Sequence, residues 1–482
     1  MNEFYIKTKK YEDIAVLIFK LLFLTVGFLQ ASSLTFGNPI ISLVQWPTVA
    51  LGCLIIGYRL LFFKNYINTR GIILLVIFAA GYIASSLYTF EYGFYTNLRI
   101  FLFLVMQFGV LYAFDAKQNP ATAKKHLTAL GIYYVIGTAI LSVISFVFMI
   151  TGHNKIIFPE AGVDVPIYYH GFVHGRLFGA YWDPNIAATM AVISILFSLY
   201  FITVNKKAVF RVLFVLNSAL QIMYITFSDS RTGKIALLAG VFVFSLAASS
   251  KKLPLRSLFV KVTSVLAITA VCSAMTFVIP KFAKVAYNDI TVAIAEQKKE
   301  ENKKPSTSVP DDQKQPEPEK EEDEPVNTID RGYDKTEDIS NRRFDIWKSA
   351  IDIFKASPIV GVSRANILPY VDKNMPDSYL VTNDHMRFDS MHNMLFEILA
   401  SQGIVGALSF ILFAAWVVLG ILKNFKKLWS HNEFDLFSLI IAIAAAVCTS
   451  TLVMAEIVYV TSPISTLFWV GLGTINHYIK EK

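Results

Sequence analysis

Apolar stretches of near-bilayer length recur along the chain, at 14–32, 40–62, 71–89, 96–114, 127–150, 184–203, 209–226, 232–249, 257–279, 403–422, 434–455 and 462–478. A helix of about twenty apolar residues crosses the hydrocarbon core, so the pattern predicts an all-α polytopic membrane protein with about 12 transmembrane helices. The polar interval 280–402 interrupts the pattern and is predicted to be one large extracytoplasmic loop, leaving helices one to nine in 1–279 and ten to twelve in 403–482. Within that loop, Phe344, Trp347, Ile351 and Phe354 recur at helical spacing, with Ser340 as N-cap and Pro358 and Gly361 as stops. Met391, Met394, Leu395, Ile398 and Leu399 repeat the pattern. Amphipathic helices are therefore expected over 340–357 and 390–402. Residues 296–326 carry eleven acidic residues, six lysines and five prolines, with valine as the only aliphatic type. Such a segment buries too little apolar surface to fold and reads as a disordered insert.

Charge orients the helices. Lysine and arginine cluster in alternate connections: Lys7 to Lys10, Arg59 to Arg70, Lys117 to Lys125, Lys206 to Arg211, Lys251 to Arg256, Lys423 to Lys427, and Lys480 with Lys482. The positive-inside rule makes these connections and both termini cytoplasmic. The formal net charge of +8 is then a consequence of topology, and no nucleic-acid partner is implied. The first apolar run is long enough to span and no small-residue cleavage site follows it, so a retained helix is expected. Cys53, Cys272 and Cys448 all fall inside apolar runs without pairing or CxxC spacing, which removes disulfide scaffolds and thiolate metal sites.

Several polar residues stand on the side where basic residues are depleted. Arg99 opens the fourth span. The stretch YYHGFVHGRLFGAYWDPN holds Arg176 between glycines and ends in Asp183-Pro184-Asn185, a helix start with Asp183 as N-cap. Its Tyr168, Tyr169, Tyr181 and Trp182 read either as an interfacial belt or as a binding surface. Arg231 and Lys234 sit in a short connection, where cations call for an anionic partner, although an Asp229/Arg231 pair would also satisfy them. Arg343 lies in a first helical turn, an unfavourable place for a cation without a compensating anion. His392, followed by Asn393, is placed in another first turn by Asp389 or Ser390 as N-cap. The helix dipole there disfavours imidazolium, leaving a base near neutral pH. The bland alternative is an interfacial histidine with no chemical duty, and Asp384 with His385 offers a competing histidine.

Taken in order, Arg176-x-x-Gly179 with Pro184-Asn185, Ser230-Arg231, Arg343-x-x-x-Trp347, Pro358-x-x-Gly361, and His392-Asn393 with Glu397 and Gly403 resemble the O-antigen ligase and polymerase superfamily. The resemblance covers residues 165–410 and does not include the acidic insert. It implies a C-type, metal-independent inverting glycosyltransferase in the bacterial cytoplasmic membrane, with its active site on the outer face. The donor would be a glycan on undecaprenyl diphosphate, and the acceptor a glycan, glycolipid or wall polymer. On this reading Arg176, Arg231 and Arg343 engage the diphosphate and His392 activates the acceptor hydroxyl. Arg99, Asp183, Asn185, Lys234, His385 and Asn393 are accessory candidates. No cofactor is expected, and Asp183, Asp229, Asp384 and Asp389 form no DxD-like cluster for a metal. Polymerase and ligase are not separable. A lipid-linked glycan flippase or transporter is the alternative class, though such proteins place ionisable groups near the midplane.

Overall fold

The computed structural model describes residues 2–35, 38–157, 168–252, 258–302, 328–329, 342–382 and 387–480. The chain begins with α1 (Asn2–Ala31), α2 (Ile40–Leu61), a single turn α3 (Phe63–Tyr66), α4 (Ile72–Tyr88), α5 (Tyr95–Met106) and α6 (Pro120–Ile150). Strands β1 (Lys155–Ile157), β2 (Tyr168–Val173) and β3 (Arg176–Gly179) then form an antiparallel sheet in chain order. Next come α7 (Pro184–Val204), α8 (Ala208–Phe227), α9 (Arg231–Lys252) and α10 (Leu258–Asn302). Short helices α11 (Arg343–Ala356), α12 (Ile367–Asn374) and α13 (Tyr379–Thr382) precede α14 (Met394–Lys423), α15 (Phe425–Ser430), α16 (Phe434–Ser450) and α17 (Pro463–Lys480).

Helices occupy all twelve predicted positions, and among the described residues nine are long and apolar enough to cross a membrane. The apolar α4 and α16 fall short of that length. The protein is a multi-pass membrane protein. Helices α7 and α17 are buried along almost their whole length, α7 as a largely apolar helix and α17 with Ser465, Thr466, Thr474, Asn476 and His477 buried as well. By contrast, α8 turns Val209, Val212, Leu213, Val215 and Leu216 outward.

The basic clusters gather at one end of the bundle. There Arg59 meets Glu12 at 2.9 Å and donates to the carbonyls of Gly109 and Ala113. Lys9 reaches Glu12, Asp13 and Asp115, and Lys124 meets Glu433 at 2.6 Å.

The opposite end departs from expectation in four ways. The aromatic stretch before α7 is a small sheet, so the chain is not purely α-helical. The helix expected to stop near 279 continues to Asn302, because residues beyond Pro280 are good helix formers, and it includes the start of the insert predicted at 296–326. Residues 303–327 lie outside the described residues. Helix α11 starts at Arg343, and Ser340, its expected cap, also lies outside them.

Finally, α11 buries Ile346, Ser349, Ala350 and Ile353, whereas Phe344 and Ile351 of the predicted stripe are exposed. That buried face joins Val362, Ile367, Val371, Leu380, Met391 and Ala400 in a second core outside the bundle.

This outer core is tied to the bundle by backbone. Helix α14 is broken at Gly403 (φ 57°, ψ −151°). Below the break, the N–H groups of Ile404 and Val405 donate to the carbonyls of Pro358 and Ile359, at 2.8 and 3.3 Å. Above it, the carbonyls of Ala400 and Ser401 accept from Val362 and Ser363, each at 2.9 Å. The 358–363 turn thus satisfies the groups that the break orphans. Gly361 (φ 67°) has no room for a Cβ, which would lie 2.4 Å from the Gln402 nitrogen.

Candidate active site

Helix α7 begins as its sequence predicts. Asp183 caps it, accepting from Asn185 N at 2.6 Å and Ile186 N at 2.9 Å, and Pro184 is its first residue. The Asn185 Oδ1 then accepts from Arg176 Nη2 and from Ser230 Oγ, both at 3.0 Å. Arg176 Nε donates to the Ser228 carbonyl at 2.8 Å. One asparagine therefore joins β3, the start of α7 and the α8–α9 connection. Of the aromatics read as belt or binding surface, Tyr181 is interior against Tyr224, and Tyr169 packs on Phe178 within the sheet.

Arg231 is the first residue of α9, exposed and without a hydrogen bond or ion pair among the described residues. The self-pairing alternative fails. Asp229 instead meets Lys234 at 2.6 Å and Lys284 of α10 at 3.3 Å. A guanidinium left open beside helical N–H groups is suited to an anion.

His392 lies just before α14 and not in its first turn. Asn393 is the N-cap, its Oδ1 accepting from Leu395 N at 2.9 Å and Phe396 N at 3.2 Å while its Nδ2 donates to the Leu452 carbonyl. His392 takes a left-handed backbone (φ 47°), which few non-glycine residues adopt without support.

That support comes from Met391, gripped on both sides. Its N–H donates to Glu397 Oε2 at 2.7 Å, and its carbonyl accepts from Trp347 Nε1 at 3.1 Å. Ser390 Oγ also donates to Glu397 Oε2, at 3.0 Å. Glu397 is in turn held by Arg364, whose Nε lies 2.5 Å from Oε1, while Arg364 Nη2 is 3.5 Å from Asp389. Sequence reasoning placed Glu397 in a motif without a role and missed Arg364. The available signal was a carboxylate beside an apolar stripe, which demands a buried partner.

The imidazole is half-buried against the edge of Phe388, ring centroids 6.0 Å apart, and neither nitrogen has a hydrogen-bond partner among the described residues. Burial holds its pKa below the usual imidazole value, and the charge of Arg343 adds to this. Asp183 and Asp389 pull it back up, and Arg364 pushes it down. The neutral base that the helix dipole was expected to supply is thus supplied by burial and two guanidinium groups.

These interactions bring His392, Arg343, Asp183 and Asp389 into one field, with Asp183 next to the Asn185–Arg176–Ser230 knot. Arg99 stands apart, facing a cleft described below. His385 and Asp384 lie outside the described residues, and among those described no group of three or more His, Cys, Asp or Glu is placed to hold a metal ion.

A family model described as O-Antigen ligase matches residues 216–411. This segment is similar to that family. It contains Arg231, Arg343 and His392 together with the Arg364–Glu397 clamp, while Arg99, Arg176, Asp183 and Asn185 precede the matched segment. No curated protein matches the chain.

Proposed function

We propose that this protein is a membrane glycosyltransferase that moves a glycan from undecaprenyl diphosphate to an acceptor hydroxyl on the outer face of the bacterial cytoplasmic membrane, with both termini cytoplasmic and twelve helices crossing. The observation that carries this reading is His392: an imidazole kept neutral by burial and the charge of Arg343, without a hydrogen-bond partner among the described residues, on a strained backbone that Glu397 and Trp347 hold in place. Strain maintained by two independent clamps marks a site whose geometry matters.

In the proposed step, one imidazole nitrogen takes the proton of the acceptor hydroxyl as its oxygen attacks the anomeric carbon. The bond from that carbon to the diphosphate oxygen breaks on the opposite side, which inverts the configuration. The electron pair leaves with the diphosphate, whose growing charge is met by Arg231, Arg343 and Arg176, with Lys234 and Lys284 nearby. The imidazolium then returns its proton to water. These residues supply acid–base and electrostatic functions without a metal. Arg231 and Arg343 open helices, His392 lies just before one and Arg176 is in the small sheet, so none is at mid-span, which argues against a flippase or transporter.

Glycan analysis of cells lacking the protein tests the reading and separates its forms: single repeat units left on lipid identify a polymerase, long unattached chains a ligase, and unchanged glycans refute transfer. With purified protein, His392→Ala is expected to fold normally and lose ~10²–10⁴-fold in turnover. His392→Asn is expected to stay poor, since an amide does not accept a proton near neutral pH.

A further inference from the structure

Beside the His392 loop opens a cleft of ≈ 880 Å³, walled by one end each of α1, α2, α5 and α7 and by the 455–462 connection. Its volume is that of a site for a small molecule or a few sugar units. The first residues of α7 form a partition. Trp182 and Ile186 line the cleft, whereas Asn185 bonds to Arg176 and Ser230 on the basic side. Asp389 also lines the cleft, three residues before His392, and its charge is felt by the imidazole. The cleft therefore reaches the loop that carries the base, and neither Arg231 nor Lys234 lines it.

Two polar side chains in this wall keep atoms that no described residue bonds. Glu456 is only 2% exposed, and while its Oε2 accepts from Ser450 Oγ at 2.9 Å, its Oε1 is buried with no hydrogen bond among the described residues. A buried carboxyl oxygen without a partner is costly unless a ligand completes it. Burial also raises this carboxyl to about 8, so at neutral pH it can both donate and accept. Arg99, which also lines the cleft, is exposed and unpaired among the described residues. Gln30, Gln45 and the Trp182 indole complete a lining rich in groups that bond or stack on sugars. With Asp389 opposing Arg99, the cleft has no surplus of positive charge to hold a diphosphate.

We infer that this cleft is the acceptor subsite: it takes the hydroxyl-rich end of a membrane-tethered glycan or glycolipid, held by Arg99 and Glu456, and directs its reacting hydroxyl past Asp389 to His392. The assignment rests on the glycosyl-transfer reading above, and it puts donor and acceptor on opposite sides of the α7 N-terminus.

Photo-crosslinking of the full-length protein in cells tests it, with p-benzoylphenylalanine as the probe in place of Gln45. The same probe replaces Leu43, on the same helix but outside the cleft, as control, and Ile235, one turn beyond Arg231, for the donor side. A glycan-bearing adduct is expected at Gln45 and not at Leu43. Arg99→Gln or Glu456→Leu should each weaken that adduct about tenfold, the effect of losing one hydrogen bond to a charged or carboxyl group, while leaving the Ile235 adduct unchanged as a sign of intact folding. An adduct at Ile235 alone overturns the subsite and leaves transfer standing. An adduct at Gln45 that ignores both substitutions, or that disappears in Arg231→Gln, overturns it as well, the latter by showing that the cleft holds the donor. Adducts at neither position, together with unchanged glycans in the deletion strain, overturn the transfer reading itself.

Discussion

Replacing Glu397 by glutamine separates the positioning of His392 from its chemistry. The carboxylate is fully buried, accepts from Met391 N at 2.7 Å and Ser390 Oγ at 3.0 Å, and faces Arg364 at 2.5 Å. Glutamine keeps the shape but turns one acceptor into a donor, so either Arg364 or the 390–391 loop meets an N–H. Arg364, with a side chain 17% exposed, would retain only Asp389 at 3.5 Å, which is 72% exposed and largely screened. Removing one member of a buried pair costs ~3–5 kcal/mol, and the Asp389 contact offsets little of it. A displacement of the base by about 1 Å typically costs ~10²-fold in rate. Glu397→Gln should therefore unfold at a clearly lower temperature and turn over ~10²-fold more slowly, as read by thermal unfolding and by transfer from lipid-linked donor with the same purified sample. The double variant Arg364→Met with Glu397→Met supplies the decisive arm. An apolar pair can replace a buried ion pair without loss of stability, so the unfolding temperature should recover, but the Met391 N–H still lacks its acceptor and turnover should remain low. Wild-type turnover in Glu397→Gln, or recovery of both properties in the double variant, would refute the clamp.

Arg231→Lys should be impaired well beyond a twofold change despite keeping its charge, because an ammonium lacks the planar fork that binds phosphate oxygens bidentately; unimpaired turnover with lysine would return Arg231 to an idle surface position. The acid limb of the rate profile should lie below the ordinary imidazole value of about 6.5, since burial and Arg343 lower the His392 pKa and the unprotonated ring is the active form. Arg343→Gln removes a charge that lowers this pKa, so the limb should move to higher pH whatever happens to the maximal rate, and a fixed limb would mean that another group titrates. Gly403→Ala should cost ~3 kcal/mol or prevent folding, because its φ of 57° excludes ordinary side chains and a Cβ would stand 2.6 Å from the Pro358 oxygen; a variant as stable as wild type would show that the turn adjusts freely.

The helices were legible because each is specified by its own apolar run: burial or lipid exposure of some twenty consecutive residues needs no knowledge of the rest of the chain. Local chemistry also sufficed at α7, where Asp183 and Pro184 define the first turn without competitors. It did not suffice at α14. Asp389, Ser390 and Asn393 all qualify as caps, and the choice of Asn393 goes with Glu397 accepting from Ser390 and Met391 and with Asn393 reaching Leu452, a contact between distant segments. The strands of the small sheet are three to six residues long, too short for their alternation to stand out from an aromatic loop. On α11 the largest residues formed the visible stripe, but Ser349 and Ala350 lie on its buried face, where small side chains allow close packing. Arg364 and Glu397 are separated by a turn, two short helices and a loop, so nothing in the spacing pairs them. A charge leaves water only when its partner is already in place, and that partner is chosen by how the backbone closes at Gly361 and Gly403, not by neighbours in sequence.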